Sequence, residues 1–204
     1  MADAEFRKDL SHLTWDEVLW RQQLRAELVP AWLEALQLRP GMHVLDVGAG
    51  PGYVSQQVAE RVGPAGLVLA LDRSAETLPY LERLRTEQGL MWIQPLIGDV
   101  TTLDLRDQRV DAALITMMLH HAEDPVGLLS AIARWLSPGA PAVVAEFDPA
   151  GPCASGPPSE QRLAPAQVRE WCELVGFLCL GVQQQTDEHY MLLIERTDDG
   201  AVPN

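Results

Sequence analysis

The sequence predicts an α/β protein: a three-layer sandwich in which a seven-stranded, mostly parallel sheet with an antiparallel terminal strand is covered by helices on both faces. Three observations carry this expectation. Short β-rich apolar runs alternate with helical patterns along the whole chain, without an internal repeat, as in a parallel sheet wound with crossover helices. A glycine-rich turn, Gly48-Ala49-Gly50-Pro51-Gly52, separates the first such run from the first long helical pattern after it. Only Gln185 to Glu188 lie between the last two runs, too few for a crossover helix, so those two strands should pair as an antiparallel hairpin.

Taken in order, the strands are expected at 43–48, 67–72, 91–97, 110–116, 141–147, 178–184 and 189–196, with helices over 53–62, 75–87, 125–136 and 165–175. Asp124-Pro125 reads as an N-cap followed by an N1 proline, and Pro165 opens the last helix in the same way. Ahead of the first strand, Thr14-Trp15-Asp16-Glu17 has the spacing of a capping box, in which residues three apart satisfy each other's orphan amides. Trp20, Leu24 and Leu28 follow at four-residue intervals; Pro30 should then interrupt, and a second short helix takes Trp32, Leu33 and Leu36. Residues 1–38 are therefore expected to form a helical cap on a domain over 39–197, with aromatic residues that can also cover a pocket. Asp148 to Ala164 is the one long irregular stretch, and it leaves the carboxyl end of a strand, where open α/β sheets bind ligands.

A chain of 204 residues, 47% hydrophobic and 22% charged, suits one well-buried domain. Acidic residues outnumber Lys plus Arg by 29 to 15, a formal charge of −14, and such a surface repels phosphate backbones and anionic lipid heads. Nucleic acid and membranes are disfavoured as partners. No apolar run reaches signal-peptide or membrane-spanning length, so the expectation is a cytoplasmic protein, monomeric or homodimeric. Cys153, Cys172 and Cys179 lack metal or redox spacing, which predicts reduced thiols and no metal site.

The glycine turn excludes two common ligands. A dinucleotide fingerprint needs a third glycine where this chain has Tyr53, and a phosphate-binding loop ends in Gly-Lys-Ser/Thr, whereas this turn has no lysine. Asp46, two residues before the first glycine, would repel a pyrophosphate and attract an ammonium or sulfonium if it faced the site.

The stretch Asp46-x-Gly48-x-Gly50-x-Gly52 resembles the first motif of the class I S-adenosylmethionine-dependent methyltransferases. The resemblance continues with Asp72 closing the second strand, Gly98-Asp99-Val100 after the third, Val110 to Pro125 around the fourth, and "WLSPGAPAVVAEFD" at the fifth. It covers about residues 40 to 150, and it implies a Rossmann-like fold with S-adenosyl-L-methionine as cofactor and S-adenosyl-L-homocysteine as product. It also implies that Gly48, Ala49, Gly50, Gly52 and Tyr53 underlie the methionine portion, with Asp46 near its amino group. Asp72 would hold the ribose diol, Arg73 would stack on the adenine, and Asp99 and Val100 would meet the adenine edge. Thr116 would close the cofactor site at the fourth strand's end.

Methyl transfer from a sulfonium is an in-line displacement that asks the protein to aim the nucleophile and exclude water. Methyltransferases acting on planar amino nitrogens typically carry Asn/Asp-Pro-Pro-Tyr/Phe after the fourth strand. Here Thr116-Met117-Met118-Leu119 occupies that place, which argues against nucleobase or glutamine acceptors. Leu119-His120-His121 resembles a segment of the branch that includes quinone-biosynthesis C-methyltransferases and many small-metabolite enzymes. The expected acceptor is therefore a small molecule methylated on O, N, S or activated C. His121 is the candidate general base, with Trp20, Met117, His120, His121, Glu146 and Tyr190 as candidate acceptor contacts; Met118, Phe147 and His189 are further candidates. The arrangement of the cysteines does not match arsenite methyltransferases, and a cofactor-binding protein without turnover is the alternative.

Overall fold

A computed structural model describes residues 10, 12–103 and 109–197, so residues 1–9 and 11 of the expected cap lie outside it. The strands are β1 (His43–Val47), β2 (Leu67–Asp72), β3 (Ile93–Ile97), β4 (Ala112–Thr116), β5 (Pro141–Phe147), β6 (Phe177–Gln184) and β7 (His189–Arg196), in the order β3-β2-β1-β4-β5-β7-β6. The first five run parallel; β7 is antiparallel to both β5 and β6. The expected hairpin is present, with a bulge between Cys179 and Gly181 in β6. Pro95 is tolerated within β3 because that strand lies at the sheet edge.

The helices are α1 (Trp15–Leu24), α2 (Val29–Ala35), α3 (Tyr53–Val62), α4 (Leu78–Glu87), α5 (Pro125–Trp135) and α6 (Pro165–Leu174). Strand alternation divides the core into two layers. Leu45, Val47, Ala113, Ile115, Ala142 and Val144 face one side and pack with Leu129, Ile132 and Trp135 of α5. Val44, Leu114, Val143 and Ala145 face the other, against Trp32 of α2, Val58 and Val62 of α3 and Leu81 of α4. Each of these large aliphatic side chains is almost completely removed from water, which is worth roughly 1.5–3 kcal/mol apiece.

The capping box is formed: Thr14 Oγ1 accepts from the Glu17 amide at 3.3 Å, and the Glu17 carboxylate accepts from the Thr14 amide at 2.7 Å. The helix break, however, precedes Pro30. α1 stops at Leu24, a 3₁₀ turn spans Ala26–Leu28, and Pro30 sits in the first turn of α2, where a missing amide costs nothing. Leu28, Trp32, Leu33 and Leu36 are buried in the core shared with β1, β4 and β5, and Trp32 Nε1 donates to Gln185 Oε1 at 2.7 Å.

Gly52 is the N-cap of α3 and has φ of 89°. A Cβ there would stand 2.6 Å from Leu81 Cδ2 and 2.8 Å from Leu84 Cδ1, so both backbone and packing demand glycine. Gly52→Ala is expected to destabilise the protein by on the order of 3 kcal/mol, read as a lowered urea midpoint; an unchanged midpoint contradicts this packing of α3 on α4.

Candidate active site

The chain leaves β1 into α3 on one face of the sheet and leaves β4 into α5 on the other. At such a reversal the two connections diverge and open a crevice beyond the strand ends. A cavity of about 890 Å³ occupies that place, within the range of small-ligand sites. Gly48, Gly50, Asp72, Arg73, Asp99, Val100, Thr116, Met117, His120 and His121 line it, so most of the site residues expected from the sequence meet around one space.

The glycine turn is held against β2. The Gly48 and Ala49 amides both donate to the Leu71 carbonyl, at 2.8 and 2.9 Å. Gly48 has φ of 71°, and a Cβ there would lie 2.9 Å from Met118 Cβ; the bare residue lets the chain leaving β4 close over β1. Asp72 is mostly buried, and its two oxygens accept separately from the Gly50 amide at 2.8 Å and the Ser74 amide at 2.9 Å. Burial raises its pKa while these amides oppose the shift. Asp99 accepts from the Thr101 hydroxyl at 2.7 Å and amide at 2.8 Å, which holds its carboxyl below the usual range.

Several expected contacts lie elsewhere. Asp46 does not reach the cavity: alternation places it with Val44 on the α3 side of β1, where it is 1% exposed and accepts from Ser55 Oγ at 2.6 Å. The electrostatic preference for a cationic ligand therefore cannot come from direct contact with Asp46. Ala49, Gly52 and Tyr53 shape the turn but lie outside the lining. Trp20 is 58% exposed on the outer side of α1. Tyr190 is buried in the α5-side core and donates its hydroxyl to the Leu163 carbonyl at 2.7 Å. His189 packs on Phe147 with ring centroids 4.9 Å apart, and burial pushes its pKa down to about 4.

Glu146 is fully buried behind the lining. Its Oε1 accepts from the Leu119 and His120 amides at 2.7 and 3.2 Å, and its Oε2 lies 2.6 Å from His120 Nδ1. Burial alone would raise its pKa, but the His120 imidazole and these amides bring it below the ordinary value. An ionised carboxylate only accepts, so Nδ1 is the donor in this contact. The sequence favours His121, yet the carboxylate-oriented ring is His120; His121 lines the same cavity with its ring centroid 4.1 Å from that of His120.

Two segments roof the cavity. α1 contributes Trp15, Val18, Arg21 and Gln22, and Gln22 bridges to the turn by donating to the Ala49 carbonyl at 3.2 Å and accepting from the Tyr53 amide at 3.3 Å. Trp15 Nε1 to Glu76 (2.8 Å) and Tyr80 hydroxyl to Asp16 (2.7 Å) fasten the same helix across the cleft. The 148–164 loop is wrapped around Arg162, which donates to the carbonyls of Pro157, Asp148 and Ser155 and to Glu188. This places Gly156 and Pro157 in the wall beside Phe147. Gln22, Arg21 and Arg25 are site residues that the sequence reading misses; the available signal is their helical spacing from Val18, three residues to Arg21, four to Gln22 and seven to Arg25. Among the described residues no His/Cys/Asp/Glu cluster suits a metal, and no helix is long and apolar enough to cross a membrane.

The strand order, the crevice and the acid closing β2 define the Rossmann-like class of S-adenosylmethionine-dependent methyltransferases. The chain belongs to the family described as "Methyltransferase domain", which matches residues 38–197. It is 39% identical over 116 residues to an uncharacterized protein of transposon TN4556 from Streptomyces fradiae, covering 57% of this chain and 33% of the relative. It is 37% identical over 116 residues to the demethylmenaquinone methyltransferase of Renibacterium salmoninarum, covering 56% and 45%. Its fold is similar to that of an S-adenosylmethionine-dependent methyltransferase from Aquifex aeolicus, with a TM-score of 0.79 at 23% identity over 90% of this chain and 98% of that one. The matched segment thus spans less than half the length of both curated relatives.

The environment of Asp46 has a measurable consequence. Burial raises its pKa from 3.8 to about 6, with the Ser55 hydrogen bond opposing and the Asp72 charge adding. Between those values the folded protein holds more protons than the unfolded chain, so stability falls as pH rises through that window. Asp46→Asn keeps an acceptor for Ser55 without the charge. It should be more stable than the parent by on the order of 3 kcal/mol above pH 7, a gain that fades toward pH 4 in denaturant titrations; equal stabilities at pH 8 would show that the buried charge is not penalised.

Proposed function

We propose that this protein transfers the methyl group of S-adenosylmethionine to a small-molecule acceptor with an ionisable O–H or N–H, or an acidic C–H, His120 serving as general base and Glu146 as its positioning residue. The observation that carries the proposal is the buried His120–Glu146 pair on the same cavity as the glycine turn and Asp72. The residues present fit the cofactor. A carboxylate has about four lone-pair sites, so each Asp72 oxygen keeps capacity for a ribose hydroxyl after its amide bond, and Asp99 lies further along the same wall. The bound cofactor supplies an electrophilic methyl group.

The chain's own residues do the rest. In the neutral ring Glu146 holds the proton on Nδ1 of His120, and Nε2 takes the acceptor's proton as the nucleophile forms its bond to carbon. Thr116 ends β4 beneath that place, and Met117, whose φ is 53°, follows it. The roof formed by α1 and the 148–164 loop excludes water and limits the acceptor's size. That roof, the acidic surface and the small-molecule acceptor implied by the name of the Renibacterium relative support a small acceptor over a nucleic acid. We place the protein in the cytoplasm on its reduced, unpaired cysteines.

Calorimetry with S-adenosylmethionine and with NAD tests the cofactor reading: binding of the first is expected, and binding of NAD alone contradicts it. Asp72→Ala should weaken S-adenosylmethionine by about 100-fold, the loss of two hydrogen bonds to a charged group; retained affinity removes Asp72 from the ribose. Turnover is read as S-adenosylhomocysteine release over a panel of small phenols, amines and activated carbon acids. His120→Asn is expected to lower kcat by about 10²–10⁴-fold with cofactor affinity unchanged, whereas an equal loss in His121→Asn and none in His120→Asn would reverse the two roles.

A further inference from the structure

The half of the cavity next to β5 carries two arginines that no described carboxylate contacts at ion-pair distance. Arg21, in the last turn of α1, and Arg25, its C-cap, stand one helical turn apart and both line the cavity. The Arg25 guanidinium carbon is 5.6 Å from the centroid of the Phe147 ring, and Phe147 meets the His120 ring edge-on at 5.7 Å. Arg25 therefore lies toward the proposed base. The glycine turn leaves β1, two strands away from β5, a separation of roughly 10 Å at ordinary strand spacing.

Neither arginine forms an ion pair or a side-chain hydrogen bond among the described residues. Other sheltered arginines are satisfied: Arg162 has Glu188 and three carbonyls, and the half-buried Arg196 has the Leu136 carbonyl. The carboxylate whose charge reaches Arg21 is the exposed Glu17, held by the Thr14 amide and hydroxyl, and the one whose charge reaches Arg25 is Glu146, already engaged by His120 and by backbone amides. Burial and the neighbouring Arg21 charge outweigh it and push the Arg25 pKa down to about 10. Two half-buried like charges facing a cavity, in a chain of net charge −14, form a site that an anion would relieve.

We propose that Arg21 and Arg25 bind an oxyanion, a carboxylate or phosphate, carried by the methyl acceptor, and so set its nucleophile beside His120. The planar guanidinium fork matches either group in bidentate fashion. The proposal rests on the methyltransferase reading above and narrows its acceptor to small anionic molecules. The carboxylate of the cofactor's methionine portion offers the same chemistry, and the experiment separates the two sources.

Protein loaded with S-adenosylhomocysteine is titrated calorimetrically with benzoate, phenyl phosphate and the neutral isostere benzamide. Benzoate or phenyl phosphate should bind saturably at millimolar concentration and more weakly as salt is added, with benzamide at least about tenfold weaker. The Arg21→Gln/Arg25→Gln double variant should lose at least about tenfold in anion affinity while keeping its affinity for S-adenosylhomocysteine within about twofold. Arg25→Lys, which keeps the charge without the fork, should fall between and provides the reading if the double variant does not fold. Equal binding of benzamide, no saturable anion binding, or unchanged anion affinity in the variants overturns the proposal. A loss of S-adenosylhomocysteine affinity with anion binding intact also overturns it, assigning the arginines to the cofactor. Failure of the parent to bind S-adenosylhomocysteine instead overturns the methyltransferase reading, while anion titration of the unloaded protein still tests the arginines.

Discussion

The site depends on one constraint of chain direction. β1 and β4 are neighbours, paired from Val44–Ala112 to Val47–Ile115, yet the helices that follow them go to opposite faces of the sheet. No connection covers the strand ends between them, and the backbone there must turn sharply in both segments. On the β1 side three glycines with positive φ make the turn; on the β4 side Met117, also at positive φ, does so without being glycine. A residue held in that region costs on the order of 1–3 kcal/mol and persists where its surroundings impose it. Here the Met117 amide is tied to the Ala145 carbonyl at 2.8 Å, and the next residue, Met118, fills the space left above Gly48.

Two buried carboxylates flank this opening, and their surroundings give them opposite characters. Asp46 meets the hydroxyl and amide of one residue, Ser55, and a nearby like charge, so the neutral acid is favoured up to about pH 6. Glu146 is equally buried but meets three amides and an imidazole, so the anion is favoured. The number and charge of the donors decide the outcome, because desolvation is common to both. Glu146 is thereby suited to hold a histidine tautomer, whereas Asp46 ties α3 to β1 beneath the glycine turn.

The architecture was legible in the sequence because each feature that specifies it is local: apolar runs of strand length, proline and Asx helix starts, and a four-residue gap that forces the final hairpin. The lining on the cofactor side was legible for the same reason, since Gly48, Gly50, Asp72, Asp99 and Val100 all sit at strand ends. Side-chain direction was not. Asp46 points toward α3 because Val44 does, a period-two consequence that requires knowing which sheet face carries α3. The preference for His120 over its neighbour depends on Glu146, 26 residues away, and the roof arginines acquire meaning only once α1 is folded over the strand ends. Trp20 and Tyr190 looked suited to a pocket by chemistry, but one lies on the outer face of its helix and the other on the core face of its strand.

Methyl transfer by this chain requires that cofactor and base share the crevice. A crystal structure of the protein with S-adenosylhomocysteine measures that directly. The account predicts ribose hydroxyls within hydrogen-bond reach of Asp72, the homocysteine portion over Gly48 to Gly50, and the sulfur turned toward His120 with space for an acceptor between them. A ligand bound elsewhere, or in the crevice with its sulfur turned away from His120, would contradict it.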